Sequence, residues 1–342
     1  MGIKTDAEYR AYVTKIDNGY RSAILAGLEF VNWDNYVNKN SRVFIKPNFT
    51  FPYYKEGITT SPEFLKCLLE LLRGKAGSVI VGESDGGNHS FTADEAFEGH
   101  DMPRICKEAG AELVNLSKLP RETVGGEIQG KKVSVRLPRL LLEGIDCFIS
   151  VPVLKVHAMT GITLSIKNLW GCHPDTMRCL EHQNLSYKLA LITRTLKPRI
   201  VIIDGTYGLD GHGPMFGEAK KLDLIMVADN PVVADSLGAA LMGIPLRLAG
   251  HILVAEKAGL GSTSLEQVDI NDNWEQYKMQ FSVKKTPVDM LSRLLFSSDA
   301  LARLVMSSPL TPLIYKVAAV LRTSKEKEVA SQLGKQKTIG PY

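Results

Sequence analysis

The stretch "CFISVPVLKVHAMTGITLSIKNLWGCHP", Cys147–Pro174, opens as an apolar strand and closes on charged and amide side chains. Cys147–Val151 shows little alternation, as expected of a strand buried on both faces of a sheet. Lys155, His157, Lys167, Asn168 and His173 follow directly. Lys155 and His157 are two positions apart, so in extended chain they point to one side. A lone lysine buried beside a histidine is costly unless each finds a partner. A core strand that runs straight into such groups suggests a sheet whose strand ends form a ligand cleft.

The same succession recurs on either side. Val43–Ile45 leads into Lys46-Pro47-Asn48, and Ser78–Val81 into Gly82–His89 with Glu83 and Asp85. Ile200–Ile203 leads into Asp204-Gly205 and on to Gly211-His212-Gly213-Pro214; Leu224–Val227 leads into Asp229-Asn230-Pro231. Helical stretches are expected at Pro62–Arg73, Met102–Gly110, His182–Thr195 and Pro231–Met242. Strands alternating with helices predict an α/β fold with a doubly wound, mostly parallel sheet. Residues 112–138 break the pattern and read as an inserted antiparallel ribbon. Tyr9, Val13, Ile16, Tyr20, Ile24 and Leu28 recur at roughly helical spacing, so residues 1–40 are expected as an N-terminal helical segment. The α/β domain then spans 41–285, a helical C-terminal extension 286–325, and a flexible Lys-rich tail 326–342.

Bulk properties narrow the function. Of the 342 residues, 44% are hydrophobic, enough for a sizeable core. The net charge of +4 is far from the dense basic stripe of a nucleic-acid binder, so nucleic acid is not expected as a partner. Five irregularly spaced cysteines with no CxxC pair point to a reducing cytoplasm and against an iron–sulfur cluster. MGIKTD departs from a myristoylation signal at Asp6. No run of 18 apolar residues predicts a membrane span. Gly82–Gly87 is not GxGxxG, so the nucleotide fingerprint is missing.

Five polar strand ends at one sheet edge would line one cleft. Lys46, Lys155 and Lys167 supply positive charge, and Asn48 and Asn168 supply amides that orient a ligand. Thr59 and Thr60, followed by Ser61-Pro62, suit a helix N-terminus that faces an anion. Gly213 lets backbone approach the ligand. Lys155, His157, Lys167 and Asp204 are the candidate catalytic groups, with Asp85 and His157 as an alternative pair of metal ligands. Structural readings stand beside these: Asp204-Gly205 as an ordinary turn, Glu83 and Asp85 as helix caps, Asp229 as a cap, and Trp170, His100 and His251 as core. Cys172 and His173 alone do not complete a metal site.

The motifs IKPN (Ile45–Asn48), TTSP (Thr59–Pro62), VPVLKVHAMTGITLSIKNLWG (Val151–Gly171) and ADNPVVADSLGAALMG (Ala228–Gly243) together resemble the domain of unknown function 362 family. The resemblance covers roughly residues 40–245 and includes the G-GP--G loop at Gly211–Gly217. It implies a form without the ferredoxin-like cluster domain that many members carry. The family is broadly similar to nickel-dependent lactate racemases, which implies a metal-dependent, racemase-like alternative.

The expected function is an enzyme acting on a small anionic or amphipathic metabolite, by elimination, isomerisation or cyclisation. A divalent metal is an optional cofactor, and a metal or cofactor delivery protein is the rival from another class. Leu291, Leu294, Leu295, Leu301, Leu304, Val305, Leu310, Leu313, Ile314, Val317, Val320 and Leu321 make an apolar C-terminal end. It either packs on the main domain, covers an apolar substrate pocket, or makes peripheral membrane contact.

Overall fold

A computed structural model describes residues 7–306 and 323–334. Four of the apolar runs lie side by side in parallel. β2 (Arg42–Pro47) pairs with β3 (Ser78–Glu83) and β7 (Cys147–Val151), and β3 pairs with the edge strand β4 (Glu112–Asn115). β7 also pairs in parallel with β10 (Ile200–Asp210). The runs are apolar throughout because both faces are covered. Phe44 packs in one hydrophobic cluster, and its neighbours Val43 and Ile45 pack in the other, across the sheet.

The opening stretch of sequence is a strand broken once. β7 ends at Val151, and after Pro152 the chain resumes as β8 (Val153–His157), which stays parallel to the far half of β10. Pro152 still contributes its carbonyl, which accepts from Asp204 N at 3.0 Å. β8 then turns back antiparallel on β9 (Gly161–Thr163), and α6 (Ser165–Asn168) follows. Lys155 and His157 are thereby carried beyond the carboxyl ends of β2 and β7.

β11 (Glu218–Ala228) departs from the expected parallel order. It is antiparallel to β10, with Ala228 opposite Val201. Its carboxyl end therefore lies at the edge where the parallel strands begin, and Asp229 is removed from the cleft. There its carboxylate accepts the Arg10 backbone N–H at 3.0 Å. Asn230 caps α8 (Pro231–Leu241) by accepting from Val232 N and Val233 N.

The first forty residues are not all helix. β1 (Tyr9–Lys15) pairs antiparallel with β11 and parallel with β12 (Val268–Ile270), and only then does α1 (Tyr20–Phe30) begin. Ala11 and Val13, two apart, point into the core, so strand pairing overrode the apparent helical spacing. The expected ribbon is present as β5 (Arg121–Ile128) and β6 (Lys131–Pro138), a separate two-stranded antiparallel sheet. The helices α2 (Pro62–Leu72), α4 (Met102–Ala109), α7 (Leu185–Leu196) and α8 match the expected spans closely.

The C-terminal extension supplies α10 (Pro287–Leu295) and α11 (Asp299–Met306). A further helix at Ser324–Gly334 occupies part of the stretch expected as a loose tail. Leu310, Leu313, Ile314, Val317, Val320 and Leu321 lie outside the described residues. Among the described residues, no helix is long and apolar enough to cross a membrane.

Candidate functional site

The ends of β2, β3 and β8, together with α6, surround a cavity of about 380 Å³. Its polar wall begins with Lys46, fully buried at the end of β2. The Lys46 ammonium pairs with the Glu83 carboxylate at the end of neighbouring β3, and donates to Pro47 O at 2.8 Å. Glu83 also accepts from Ser84 N at 3.0 Å. A buried charge persists only when paired in this way, so Lys46 brings little unspent charge to a ligand.

Asn48 and Asn168 lock the β2 end to α6. Asn48 Nδ2 donates to Asn168 Oδ1 at 3.0 Å, and Asn168 Nδ2 donates to Lys46 O at 3.1 Å. Lys155, fully buried, uses all three of its protons. Its Nζ donates to Asn48 Oδ1 at 2.7 Å, Thr50 Oγ1 at 2.8 Å and Ile58 O at 2.8 Å. Burial, and then the Lys167 charge, hold its pKa well below the usual lysine range.

His157 ends β8. The Met159 backbone N–H donates to its Nδ1 at 3.1 Å, so that nitrogen carries a lone pair and Nε2 carries the proton. Burial, followed by the Lys167 and Lys155 charges, pushes its pKa well below 6.5. At neutral pH His157 is therefore a neutral imidazole that offers an Nε2–H.

Lys167 on α6 is half-buried in the cavity wall, and among the described residues no carboxylate or hydrogen-bond acceptor meets its ammonium. Burial, and then the Arg178 charge, lower its pKa to about 8. Asp235 of α8 sets the position of α6. Its buried carboxylate accepts from Ser165 N at 2.6 Å and Ile166 N at 3.0 Å, and burial raises its pKa to about 8.

Sequence reasoning missed Arg178, Cys179 and His182, which complete this wall. They lie in an irregular segment that follows no strand, so nothing in their spacing marked them. Arg178 Nη1 donates to Asp85 O at 2.9 Å and Asp175 O at 3.1 Å. His182 stacks on Trp170 with ring centroids 5.8 Å apart, and burial lowers its pKa to about 3.

Several expected site residues serve the scaffold instead. Asp204 Oδ2 accepts from Ser61 N at 2.8 Å and its Oδ1 from Thr206 N at 3.1 Å. The anion at the N-terminus of α2 is thus the protein's own Asp204. Thr60 Oγ1 donates to Val151 O and accepts from Asn48 N, while Thr59 Oγ1 accepts from Lys55 N. Gly213 packs the glycine loop on β8, where a Cβ would come 1.8 Å from Val156 O, and it is the next residues, Pro214 and Met215, that line the cavity. Asp85 Oδ1 accepts from Ala93 N and Asn115 Nδ2 and does not meet His157 as a ligand pair.

Among the described residues, the metal-capable atoms that do converge belong to His173, Asp175 and Glu181. They do not fit a cation. His173 Nδ1 accepts from Asp175 N, its Nε2 faces Glu181, and Arg121, Arg136 and Lys188 neutralise the two acids. The hydrogen bond from His173, with Arg136 beside it, holds the Glu181 carboxyl down at about 2. This node is an ion-pair network that fixes the segment carrying Arg178.

The roof is apolar. Val288, Leu291 and Leu295 of α10 reach over the cavity, with Phe296 and Val305 beside them. Asp289 anchors α10 to His212 of the glycine loop at 2.7 Å, and the Gln183 N–H donates to Asp299 of α11 at 3.0 Å.

A glycine is required where the floor meets the ion pair. A Cβ at Gly171 would lie 2.7 Å from Glu83 Oε1 and 2.8 Å from Lys46 Nζ. Gly171→Ala is expected to push this pair apart and destabilise the fold by about 1–3 kcal/mol. The check is a lowered urea midpoint with unchanged far-ultraviolet dichroism.

The sequence profile described as Domain of unknown function (DUF362) matches residues 43–240. The thylakoid-associated protein sll1697 of Synechocystis sp. is 24% identical over 242 residues, covering 68% of this chain and 72% of that protein. Among solved structures, the lactate racemase apoprotein from Thermoanaerobacterium thermosaccharolyticum aligns with a TM-score of 0.45 at 12% identity, over 68% of this chain and 56% of that one. A Thermotoga maritima protein aligns with a TM-score of 0.35 at 13% identity, over 58% and 53% respectively. This chain thus spans little more than half of either solved structure.

Proposed function

This chain belongs to the domain of unknown function 362 family, and from the cleft that the family's motifs build we propose an enzyme acting on a small metabolite that bears a phosphate or a carboxylate. One observation carries this reading, the charge balance of the wall. Lys46, Lys155, Lys167 and Arg178 line the cavity, and among the described residues the one carboxylate lining it is that of Glu83, which Lys46 already holds. Lys167 has no counter-charge among the described residues. An anionic ligand would supply it.

The roles follow from the bonding. Lys167 and Arg178 hold the anion, and Lys155, its protons committed, adds positive field without moving. The His157 Nε2–H donates to a ligand oxygen that gains charge in the transition state. Lys167, at about 8, is close enough to neutral pH to give or take a proton. Elimination, isomerisation and cyclisation all need such fixed donors. The five free thiols suit a reducing, cytoplasmic setting.

Titration calorimetry with inorganic pyrophosphate, and with succinate as the carboxylate probe, tests the reading. Saturable binding of one probe per chain is expected. If neither probe binds, the proposal is wrong. For a substrate found by native mass spectrometry of the purified protein, His157→Ala should lower turnover by about 10²–10⁴-fold with folding retained. Turnover at the wild-type rate would remove His157 from the mechanism.

A further inference from the structure

The cavity wall combines cations with apolar side chains. Lys167 and Arg178 line it, and so do Ser84, Ser90 and Thr163, whose hydroxyl oxygens are themselves enclosed by protein. Among the described residues none of these oxygens has a hydrogen-bond partner.

Phe91, Trp170, Met215, Leu291, Leu295 and Phe296 supply the apolar part of the lining. Helix α10 supplies part of it. Six of its nine residues are apolar, yet none is buried. Val288, Leu291 and Leu295 recur at i, i+3 and i+7, the spacing of a single helix face. That face points over the cavity rather than onto a packed floor. The contacts of Asp289 with His212 and of Gln183 with Asp299 hold this apolar face over the cavity.

We propose that the ligand is an amphiphile, with its phosphate or carboxylate at Lys167 and Arg178 and an apolar chain lying beneath α10 and α11. This rests on the anion reading above and deepens it. The cavity of about 380 Å³ lies toward the small end of ligand pockets, which run from about 300 to 1,000 Å³, so a single chain fits better than a two-chain lipid.

The test is a chain-length series: methyl, butyl and octyl phosphate, with acetate, valerate and nonanoate as the matching carboxylates, each below its micellar concentration. Affinity should rise by about fourfold for each methylene buried, to on the order of a hundredfold or more across the series. Leu291→Gln and Leu295→Gln should each lower the ratio of octyl to methyl affinity. A series that binds with no dependence on chain length overturns the inference, leaves the anion reading standing, and assigns the apolar space to the chain's own residues. If no member of either series binds, the anion reading fails and takes the inference with it.

The source of the amphiphile is a separate arm. Met290, Leu294 and Leu304 are exposed on the outer side of the roof. After Phe281 the sequence carries ten Lys or Arg against four Asp or Glu. Co-sedimentation with vesicles containing the single-chain lysophosphatidic acid, competed by octyl phosphate, would assign a bilayer-borne amphiphile. Octyl phosphate binding without co-sedimentation would assign a dissolved one.

Discussion

Lys155→Ala is expected to destabilise the protein by about 2–4 kcal/mol before any effect on ligand can be read. The ammonium is fully buried and donates to Asn48 Oδ1, Thr50 Oγ1 and Ile58 O. Its removal leaves those acceptors dry. Asn48 keeps one donor, since Thr50 Oγ1 bonds it at 2.7 Å, but Ile58 O loses this bond without a replacement. A dry, unbonded acceptor costs about 1–3 kcal/mol, and the emptied side-chain volume adds to that. Burying the charge has its own cost, seen in the lowered pKa, so its loss offsets part of the damage. The bonds outweigh that relief because they tie β8 to the β2 turn and to the loop before α2. The check is urea unfolding, with a lower midpoint at unchanged slope. A variant as stable as wild type would mean that water or neighbouring donors replace the ammonium.

The same three bonds show how far the sequence could be read. A lysine directly after a core strand required partners, and they exist. Which partners they are depended on two turns about a hundred residues away, which no local pattern encodes. The buried strands were legible as continuous apolar runs, and α2 and α8 as Ser- or Asn-capped, Pro-started segments, because these are local signals. Strand direction was not. Leu224–Val227 reads the same whichever way it runs, and antiparallel pairing with β10 carried Asp229 to the far edge. Asp204 shows the converse: a polar residue expected at a strand end lies within the longer β10, where the scaffold consumes it as the counter-charge of α2. Arg178 and His182 were invisible because they reach the cleft from a segment held by ion pairs and not by a sheet. Asp235 was visible as a helix residue, but its role in holding α6 emerges only when α8 and α6 are packed together.

Lys167→Met is expected to act in the opposite way to Lys155→Ala, with ligand affinity lost and stability kept. Removing one member of a buried charge contact with a ligand costs about 2–5 kcal/mol, so pyrophosphate affinity should fall by about 30-fold or more. Folding should not suffer, because no protein acceptor among the described residues depends on this ammonium. The pH dependence separates this role from a structural one. Folded Lys167 sits at about 8, against 10.5 for an ordinary lysine. Between those values the unfolded chain binds more protons, so this group's contribution to stability rises with pH from about 8 to about 10.5. Below about 8 both states are protonated and folding bears the whole cost of the buried charge. The variant should therefore be at least as stable as wild type at pH 7, and its advantage should shrink as pH climbs through that window. Ligand binding by the wild type should weaken over the same rise, as the ammonium deprotonates, and the variant should show no such step. A variant less stable than wild type at pH 7, or one that binds pyrophosphate equally well, would make Lys167 a structural residue. The unspent charge on which the anion reading rests would then have to come from Arg178 alone.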